Sequence, residues 1–501
     1  MTANLYIPQT GKPPYPAVLH PTGHSVQGKA RAFYQTLSIG LVKSGFVVLT
    51  YDPLGQGERR LFYDPSLEDS KVGGTTIEHQ VVGLQSLLAG ESVARYMIWD
   101  AMRGIDLLES RPEVSSDRIG MAGCSGGGTL TAYVAALDSR LKAAAPACYI
   151  TNWEEQLKGT GPQDAEQQFP DYFRAGLDHG DLILGALPKP YLMCSTEGDF
   201  FPLEGARQTF AEMKRLYDRL GMEDRMAWAV GPGGHGMPKN VREAIYGWMN
   251  HWLKGAASTK AIEPDIHTEF EEDLYSTPTG QVSTSLGGET ASTMNLKRYS
   301  QLLPQRQPLT GPADIDRLRG DLRRQVLNLT RYEPSHGDLA VIAGEPSHRD
   351  GYTMLRLSYA AGGRRIPALL ITPDAVRSRG RTLLYLDEAG QVVYEKPGSD
   401  LDQLARGGYT MLAVDPSGTG QTTPKWAGYS DRWFGADRTT WLALMVGKPL
   451  VGLHMDDILR GVDLLNERGL LVHGGCSAFA KGPSAVDLLF AATVDDRLQS
   501  L

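Results

Sequence analysis

The stretch RIGMAGCSGGGTLTAYVAAL at residues 118–137 decides the fold. Residues 118–122 form a short apolar run typical of a buried strand, and residues 127–137 favour a helix. Between them lies Gly-Cys-Ser-Gly-Gly, a G-x-S-x-G motif in a strand–turn–helix setting. Side chains beside Ser125 would collide with the neighbouring strand and helix, which explains the glycines. We predict that Ser125 is a nucleophile; an idle serine in a glycine-rich turn is the alternative.

The alternation of strand and helix patterns extends on both sides of this motif. Short apolar runs separated by amphipathic stretches continue from residue 15 to residue 255. Such alternation predicts an α/β fold with a mostly parallel sheet and helices on both faces. The patterns predict strands at 16–20, 46–51, 118–122, 191–194 and 226–230, and helices at 29–44, 91–110, 127–137 and 240–254.

A serine hydroxyl needs a base, and the base needs an acid that orients it. His235 lies in the loop GPGGHG directly after the strand at 226–230, where its ring can reach the serine. The acid should follow the preceding strand, within CSTEGDFFP at 194–202. We predict Asp199, because Gly-Asp ahead of a proline places a carboxylate in a tight turn; Glu197 is the alternative.

Acyl transfer also needs donors for the oxyanion of the tetrahedral intermediate. We predict the backbone N–H of Gly126, which follows the nucleophile, and that of His24 in the loop HPTGHS at 20–25. Gly23 would let this loop approach closely. His20 and His24 lie four positions apart without a third ligand nearby, so we predict no metal site. The chemistry requires no cofactor.

Several further residues are candidates for the substrate pocket. Residues 151–188 fall where lids are inserted, and aromatic residues there, Trp153 among them, predict either a substrate wall or packing within the lid. Glu78 and His79 are predicted either to line the pocket or to form a packed surface pair. Gly23 and Phe200 complete this set, and Phe200 directly follows the predicted acid.

An internal repeat links the two halves of the chain. LVKSGFVVLTYDPLGQG at 41–57 resembles LARGGYTMLAVDPSGTG at 404–420, and DAMRGIDLL at 100–108 resembles DILRGVDLL at 457–465. In the register of the second pair, Ser125 falls on Gly482, and no acid or base segment follows. We therefore predict a catalytic domain at 1–255, a linker with a charged helix at 256–330, and a degenerate, catalytically inactive repeat at 331–501.

The two halves are not equally long around the repeat. In the second half of the chain, residues 352–361 and 364–373 predict a hairpin. The first half of the chain contains a counterpart only for the second strand of this hairpin. The first half in turn continues beyond the point where the second ends. We expect from this a chain incomplete at both ends; a natural short protein with an irregular second domain is the alternative.

Composition narrows the classes of partner. The net charge is −8, and no basic cluster interleaved with aromatics is present, which argues against nucleic acid and anionic membranes. No apolar run reaches the length of about 18 residues that indicates a membrane span. The four cysteines show no metal-ligand spacing and are expected to be buried free thiols. A homo-oligomer stays open.

These residues resemble a family of two-domain bacterial α/β-hydrolases related to acetyl xylan esterases and dipeptidyl-aminopeptidase-like hydrolases. The resemblance covers residues 3–255 and, more weakly, the second half. It implies an α/β-hydrolase fold and an esterase acting on acetylated plant polysaccharide or other short acyl esters. It also implies export, whereas no signal peptide precedes the first strand, so localisation stays open. The matching stretches are ANLYIP (3–8), GHSVQGKA (23–30), YDPLGQGER (51–59), EHQVVG (78–83), SRPEVSSDRIGMAGCSGGG (110–128) and ALDSRLKAAAPACYIT (136–151).

Three functions fit the sequence. A serine carboxylic-ester hydrolase acting on a small-molecule or polysaccharide ester is the first. A serine exopeptidase with the same triad is the second, because the fold does not separate the two reactions. A catalytically dead scaffold or binding protein is the third, since Gly482 shows that a nucleophile has been lost in the repeat.

Overall fold

The structure is a computed structural model that describes residues 1–304, 308–390, 396–424 and 438–501. These residues form two compact units, one of residues 1–304 and Arg438, and the other of residues 308–390, 396–424 and 439–501. No helix in the described ranges is long and apolar enough to cross a membrane. All four cysteines are buried free thiols, as the sequence predicts.

The first unit is built on a seven-stranded sheet in the order β1-β3-β2-β6-β7-β8-β9. β1 runs antiparallel to β3, and the other neighbours are parallel. β4 and β5 form a separate small hairpin. The strands are β1 (Ala3–Tyr6), β2 (Tyr15–Pro21), β3 (Val47–Tyr51), β4 (Tyr63–Asp64), β5 (Asp69–Ser70), β6 (Val114–Cys124), β7 (Leu141–Ala147), β8 (Tyr191–Gly198) and β9 (Met226–Gly234).

Helices cover both faces of this sheet. Because successive strand residues point to opposite faces, Leu192 and Cys194 pack in the core with α1 and α8, whereas Met193 packs in the core with α4, α6 and α7. This is the predicted α/β-hydrolase fold. The helices are α1 (Ala32–Lys43), α2 (Thr75–Leu88), α3 (Val93–Ser110), α4 (Gly126–Leu137), α5 (Trp153–Lys158), α6 (His179–Ala186), α7 (Leu203–Arg219), α8 (Lys239–Lys254), α9 (Val282–Ser285) and α10 (Ala291–Leu302).

One central strand was not expected from the sequence. β7 has the sequence LKAAAPA, and its many alanines have low β-propensity. It forms between β6 and β8, where five of its seven residues lose all contact with water. Tertiary position therefore outweighs local propensity here.

The first unit extends beyond residue 255, where the sequence predicts a linker. Residues 256–304 are attached to it by polar contacts: Glu263 binds Arg242 through two contacts of 2.5 and 2.8 Å, and Glu269 N donates to Gln35 at 2.8 Å. Thr277 donates from both N and Oγ1 to Glu58. Because this attachment uses few apolar residues, the polar composition of residues 256–304 resembles that of a linker.

Glu58 belongs to a buried ion-pair cluster whose disruption should cost much stability. Lys29 is 1% exposed, and its Nζ contacts both Glu58 and, at 3.2 Å, Asp52. We expect Lys29→Ala to lower the free energy of unfolding by about 3–5 kcal/mol, because two carboxylates lose their buried partner. Urea melts measure this, with exposed Lys239→Ala as the control. A loss no larger than that of the control would contradict the prediction.

The second unit contains its own sheet in the order β10-β12-β13-β15-β14-β16-β17, with β11 beside β12. The hairpin and the charged helix predicted from the sequence are both present. The strands are β10 (Ile342–Ala343), β11 (Ser347–Arg349), β12 (Tyr352–Ala361), β13 (Arg364–Pro373), β14 (Arg381–Asp387), β15 (Tyr409–Val414), β16 (Cys476–Lys481) and β17 (Leu498–Ser500). The helices are α11 (Pro312–Thr330), α12 (Asp400–Arg406), α13 (Arg438–Met445), α14 (Leu450–Glu467) and α15 (Ser484–Ala492).

The two sheets share a topology. β13-β15-β14-β16-β17 repeats the order β1-β3-β2-β6-β7, with the first pair antiparallel and the others parallel in both. Side-chain networks repeat as well: Arg140 binds Asp138 and Asp106 in the first unit, and Arg497 binds Asp495 and Asp463 in the second. The repeated sequence blocks therefore occupy matching positions in the two sheets.

Candidate active site

Ser125 occupies the turn between β6 and α4. Its backbone has φ 60° and ψ −124°, a combination that side chains rarely tolerate. Hydrogen bonds hold the turn, since Ser125 N donates to Ala147 O at 2.9 Å and Ser125 O accepts from Thr129 N at 2.9 Å. A Cβ at Gly127 would lie 2.3 Å from Pro21 O, so the neighbouring strand leaves room only for glycine. The surroundings thus impose a strained turn on this serine.

His235 and Asp199 form a pair at the same edge of the sheet. Asp199 follows β8, and His235 follows β9, the neighbouring parallel strand. His235 Nδ1 lies 2.8 Å from Asp199 Oδ1, and Asp199 Oδ1 also accepts from Phe201 N at 3.0 Å. The Asp199 side chain is 1% exposed and that of His235 is 25% exposed. Glu197, the alternative acid, is exposed.

The pair shifts the titration of both groups. Burial by itself would lower the pKa of His235, but the hydrogen bond and charge of Asp199 outweigh it and raise this pKa above its ordinary value of 6.5. Burial would raise the pKa of Asp199, yet the contacts with His235 keep it below its ordinary value. The ring is therefore held ready to accept a proton.

This shift predicts the acid limb of the pH profile. If neutral His235 is the base, activity is lost as the pH falls through its pKa, so the limb should lie above pH 6.5. The dependence of kcat/KM on pH with p-nitrophenyl acetate measures it. A profile that stays flat down to about pH 4 would exclude a histidine base.

The loop after β2 passes directly beside Ser125. A Cβ at Gly23 would lie 2.5 Å from Cys124 O and 3.0 Å from Ser125 Cβ. The ring of His24 rests against Gly126, since a Cβ at Gly126 would lie 3.1 Å from His24 Cε1. The structure therefore brings both residues predicted as oxyanion donors next to each other and to Ser125.

The closeness of this loop gives a prediction. We expect Gly23→Ala to lower kcat/KM by about 10²–10³, the cost of losing one oxyanion donor, because the loop must move away from Ser125. Gly74→Ala is the matched control, since nothing lies within 4 Å of a Cβ there. Equal activities of the two variants on p-nitrophenyl acetate would contradict the prediction.

The residues predicted to line the pocket have different surroundings. Phe200 stacks on His235 with ring centroids 4.4 Å apart. Trp153 is 4% exposed and packs against Phe173 and other aromatic residues of the lid. Glu78 is fully buried and bound to Arg60, rather than part of a surface pair. His79 is also fully buried. Of these side chains, Phe200 is the one in contact with His235.

Sequence reasoning missed other groups near this site. Cys148 has φ 53°, and its thiol lies 3.0 Å from Gly236 O, close to Asp199 and His235. Glu166, from the segment between α5 and α6, contacts His79 at 2.9 Å and His24 at 3.1 Å. A single cysteine after an apolar strand and a glutamate in an irregular segment carry no local pattern that distinguishes them.

Comparison with known proteins shows what the first unit is similar to. Residues 1–181 match the model of the acetyl xylan esterase family (AXE1). The Bacillus subtilis (strain 168) protein YtaP, named as a hydrolase, is 26% identical over 261 residues, which cover 49% of this chain and 81% of YtaP. The resemblance to acetyl xylan esterases inferred from the sequence is thus confirmed for residues 1–181.

Solved structures of similar proteins include two esterases. Methylesterase BT1017 has a TM-score of 0.44 and 22% identity, with 60% of this chain and 63% of that one covered. A family 15 glucuronoyl esterase from Caldicellulosiruptor kristjansonii has a TM-score of 0.37 and 19% identity, with coverages of 53% and 74%. The chain thus spans less than two thirds of the methylesterase.

Proposed function

We propose that the first unit is a serine carboxylic-ester hydrolase with Ser125 as nucleophile, His235 as base and Asp199 as the residue that orients it. The observation that carries this proposal is the strained backbone of Ser125 at the β6–α4 turn. Backbone strain persists where the surroundings impose it, and it is typical of a reacting group. The His235–Asp199 pair at the same sheet edge supports the proposal.

The proposed reaction proceeds through an acyl-enzyme. His235 takes the proton of the Ser125 hydroxyl while Oγ attacks the ester carbonyl. The backbone N–H groups of Gly126 and His24 stabilise the oxyanion, and His235 then gives the proton to the departing alcohol. Water, activated by His235, hydrolyses the acyl-enzyme and releases the acid.

The proposed substrates are short acyl esters, with acetyl groups of plant polysaccharide as the leading class. The match to the acetyl xylan esterase family supports this choice. Phe200, stacked on His235, provides an apolar surface for an acyl or sugar group beside the reacting atoms. We infer no cofactor for this reaction.

We also propose that the second unit performs no acyl transfer. Gly482, at the position that matches Ser125, has φ 63°, so this turn also has a positive φ but carries no nucleophile. A Cβ there would lie 2.8 Å from Glu388 Cδ, so a carboxylate side chain occupies the space beside this turn. These features support a packing or substrate-presenting role.

Covalent labelling tests the proposed nucleophile without assuming a substrate. A fluorophosphonate probe reacts with activated serines, and we expect one adduct, on the peptide that contains Ser125. The adduct should vanish in Ser125→Ala and form far more slowly in His235→Ala, because the hydroxyl then lacks its base. Labelling of another serine, or none in the folded protein, would overturn the assignment.

A substrate panel then separates the ester from the peptide reading. p-Nitrophenyl acetate, p-nitrophenyl butyrate, acetylated xylan and an aminoacyl p-nitroanilide are compared at equal enzyme concentration. Preference for the acetate and release of acetate from xylan would support the proposed class. Preference for the anilide would instead favour the exopeptidase.

A further inference from the structure

A buried cluster of histidines and carboxylates forms where the loop after β2 meets two other segments of the chain. His24 comes from the loop after β2 and His79 from α2, and both carboxylates belong to the segment between α5 and α6. The His24 side chain is 12% exposed, Asp164 is 6% exposed, and Glu166 is fully buried. Ionisable side chains from three distant parts of the chain thus meet at one buried position.

The atoms of this cluster are spaced like metal ligands. His24 Nε2 lies 3.0 Å from His79 Nδ1, 3.1 Å from Glu166 Oε1 and 3.4 Å from Asp164 Oδ2. His79 Nδ1 lies 2.9 Å from Glu166 Oε2. A tetrahedral zinc site, with bonds of about 2.0–2.2 Å, separates its ligand atoms by roughly 3.3–3.6 Å. His24, His79 and Glu166 therefore bring ligand atoms close enough to share a cation, and Asp164 Oδ2, next to His24, is near enough to join them.

The His79 ring turns its Nδ1 toward His24 and Glu166. His79 Nε2 lies 2.6 Å from Leu54 O, a distance at which it donates its proton to that carbonyl. In the neutral ring, Nδ1 then turns a lone pair toward His24 Nε2 and Glu166. Without a metal, one proton satisfies these contacts, donated by His24 Nε2 to His79 Nδ1 or by His79 Nδ1 to Glu166. A divalent cation at the same point takes the place of that proton and binds the ring nitrogens and the carboxylate together.

Charge and outer contacts agree with this arrangement. Two neutral imidazoles, two carboxylates and one divalent cation give a neutral site, as burial requires. The Nε2–H of His79 bonded to a backbone carbonyl is the usual outer contact of a metal-ligating histidine. Asp164 Oδ1 is buried without a hydrogen-bond partner among the described residues.

We propose that the first unit holds a closed site for one first-row divalent metal cation, with Zn²⁺ as the preferred occupant, formed by His24, His79, Asp164 and Glu166. Four protein ligands leave no open position, so the cation is structural rather than reactive. It fixes the His24 ring, which rests on Gly126, and thereby the loop beside Ser125. Its role is to position that loop.

Metal content tests the proposal directly. The chain is stripped with a chelator, saturated with zinc sulfate, desalted and measured by elemental mass spectrometry. We expect one Zn²⁺ per chain and a melting temperature several degrees above that of the stripped protein, because only the folded state binds. We expect Glu166→Gln and Asp164→Asn each to weaken zinc binding at least 10-fold in calorimetric titration.

A second group of ligands provides the matched control. Cys148, Asp199 and His235 also lie close enough to hold a cation. Cys148→Ser should therefore keep one Zn²⁺ per chain if the proposed site is the one occupied. Loss of zinc in Cys148→Ser with retention in Glu166→Gln would place the metal at the triad and overturn the proposal. No bound zinc in the folded wild-type chain would overturn it as well.

Two further controls test whether the variants fold and whether zinc binding is independent of catalysis. Asp164 is 6% exposed whereas Glu166 is fully buried, so Asp164→Asn serves if Glu166→Gln fails to fold, as judged by circular dichroism. Ser125→Ala should bind zinc like the wild type, because Ser125 is not a ligand. Failure of the serine-esterase proposal would thus leave the zinc stoichiometry unchanged, and the two proposals can fail separately.

Discussion

Replacing Ser125 by alanine is expected to lower kcat on p-nitrophenyl acetate by up to about 10⁶-fold. The variant keeps the Gly126 and His24 donors but has no atom that can form the acyl-enzyme. What remains should be the modest rate enhancement of binding and oxyanion stabilisation, about 10³–10⁴ over water. Initial rates with purified wild type and variant measure the ratio.

The companion variants make this result specific. Because the triad acts as a unit, Ser125→Ala combined with His235→Ala should be hardly slower than Ser125→Ala alone. Ser139→Ala, an exposed serine outside the site, should keep the activity of the wild type. If Ser125→Ala retained a tenth of the wild-type rate, the nucleophile would have to be sought elsewhere.

Replacing Asp199 by asparagine should lower kcat by about 10⁴-fold. The amide keeps the size of the side chain but cannot stabilise the imidazolium, and its NH₂ group favours the wrong tautomer of His235. Since Asp199 Oδ1 lies 2.8 Å from His235 Nδ1, both effects act on the base directly. Steady-state kinetics with p-nitrophenyl acetate measure the loss.

Glu197→Gln is the matched control for this variant. Glu197 stands two residues before Asp199 and is exposed, so the same loss of one carboxylate should leave kcat within about twofold. A large loss in Glu197→Gln together with a small loss in Asp199→Asn would reverse the assignment of the acid. Equal losses would point to a structural effect of the loop after β8.

Local sequence patterns predicted the fold of the first unit and the strand–turn–helix setting of Ser125, the proposed nucleophile. The strand at 118–122, the G-x-S-x-G turn and the helix that follows are encoded within one short stretch. Chain order and the ends of predicted strands indicated His235 and the segment that contains Asp199. Such features are readable because strand and helix periodicities, and the need for glycine in a tight turn, act over a few residues.

Only the tertiary structure decided which distant groups meet. It paired Asp199 rather than Glu197 with His235, and it buried Glu78, for which the sequence left a pocket position open. It also attached residues 256–304 to the first unit through polar contacts with Arg242, Gln35 and Glu58, where composition indicates a linker.

The cluster around His24 and Glu166 depends most strongly on the tertiary structure. His24, His79 and Glu166 lie in a loop, a helix and an irregular segment, and no spacing along the chain relates them. Their contact arises because the sheet and its covering helices carry three chain segments to one buried point. Local patterns encode elements of structure, whereas contacts between remote side chains are set by the path of the folded chain.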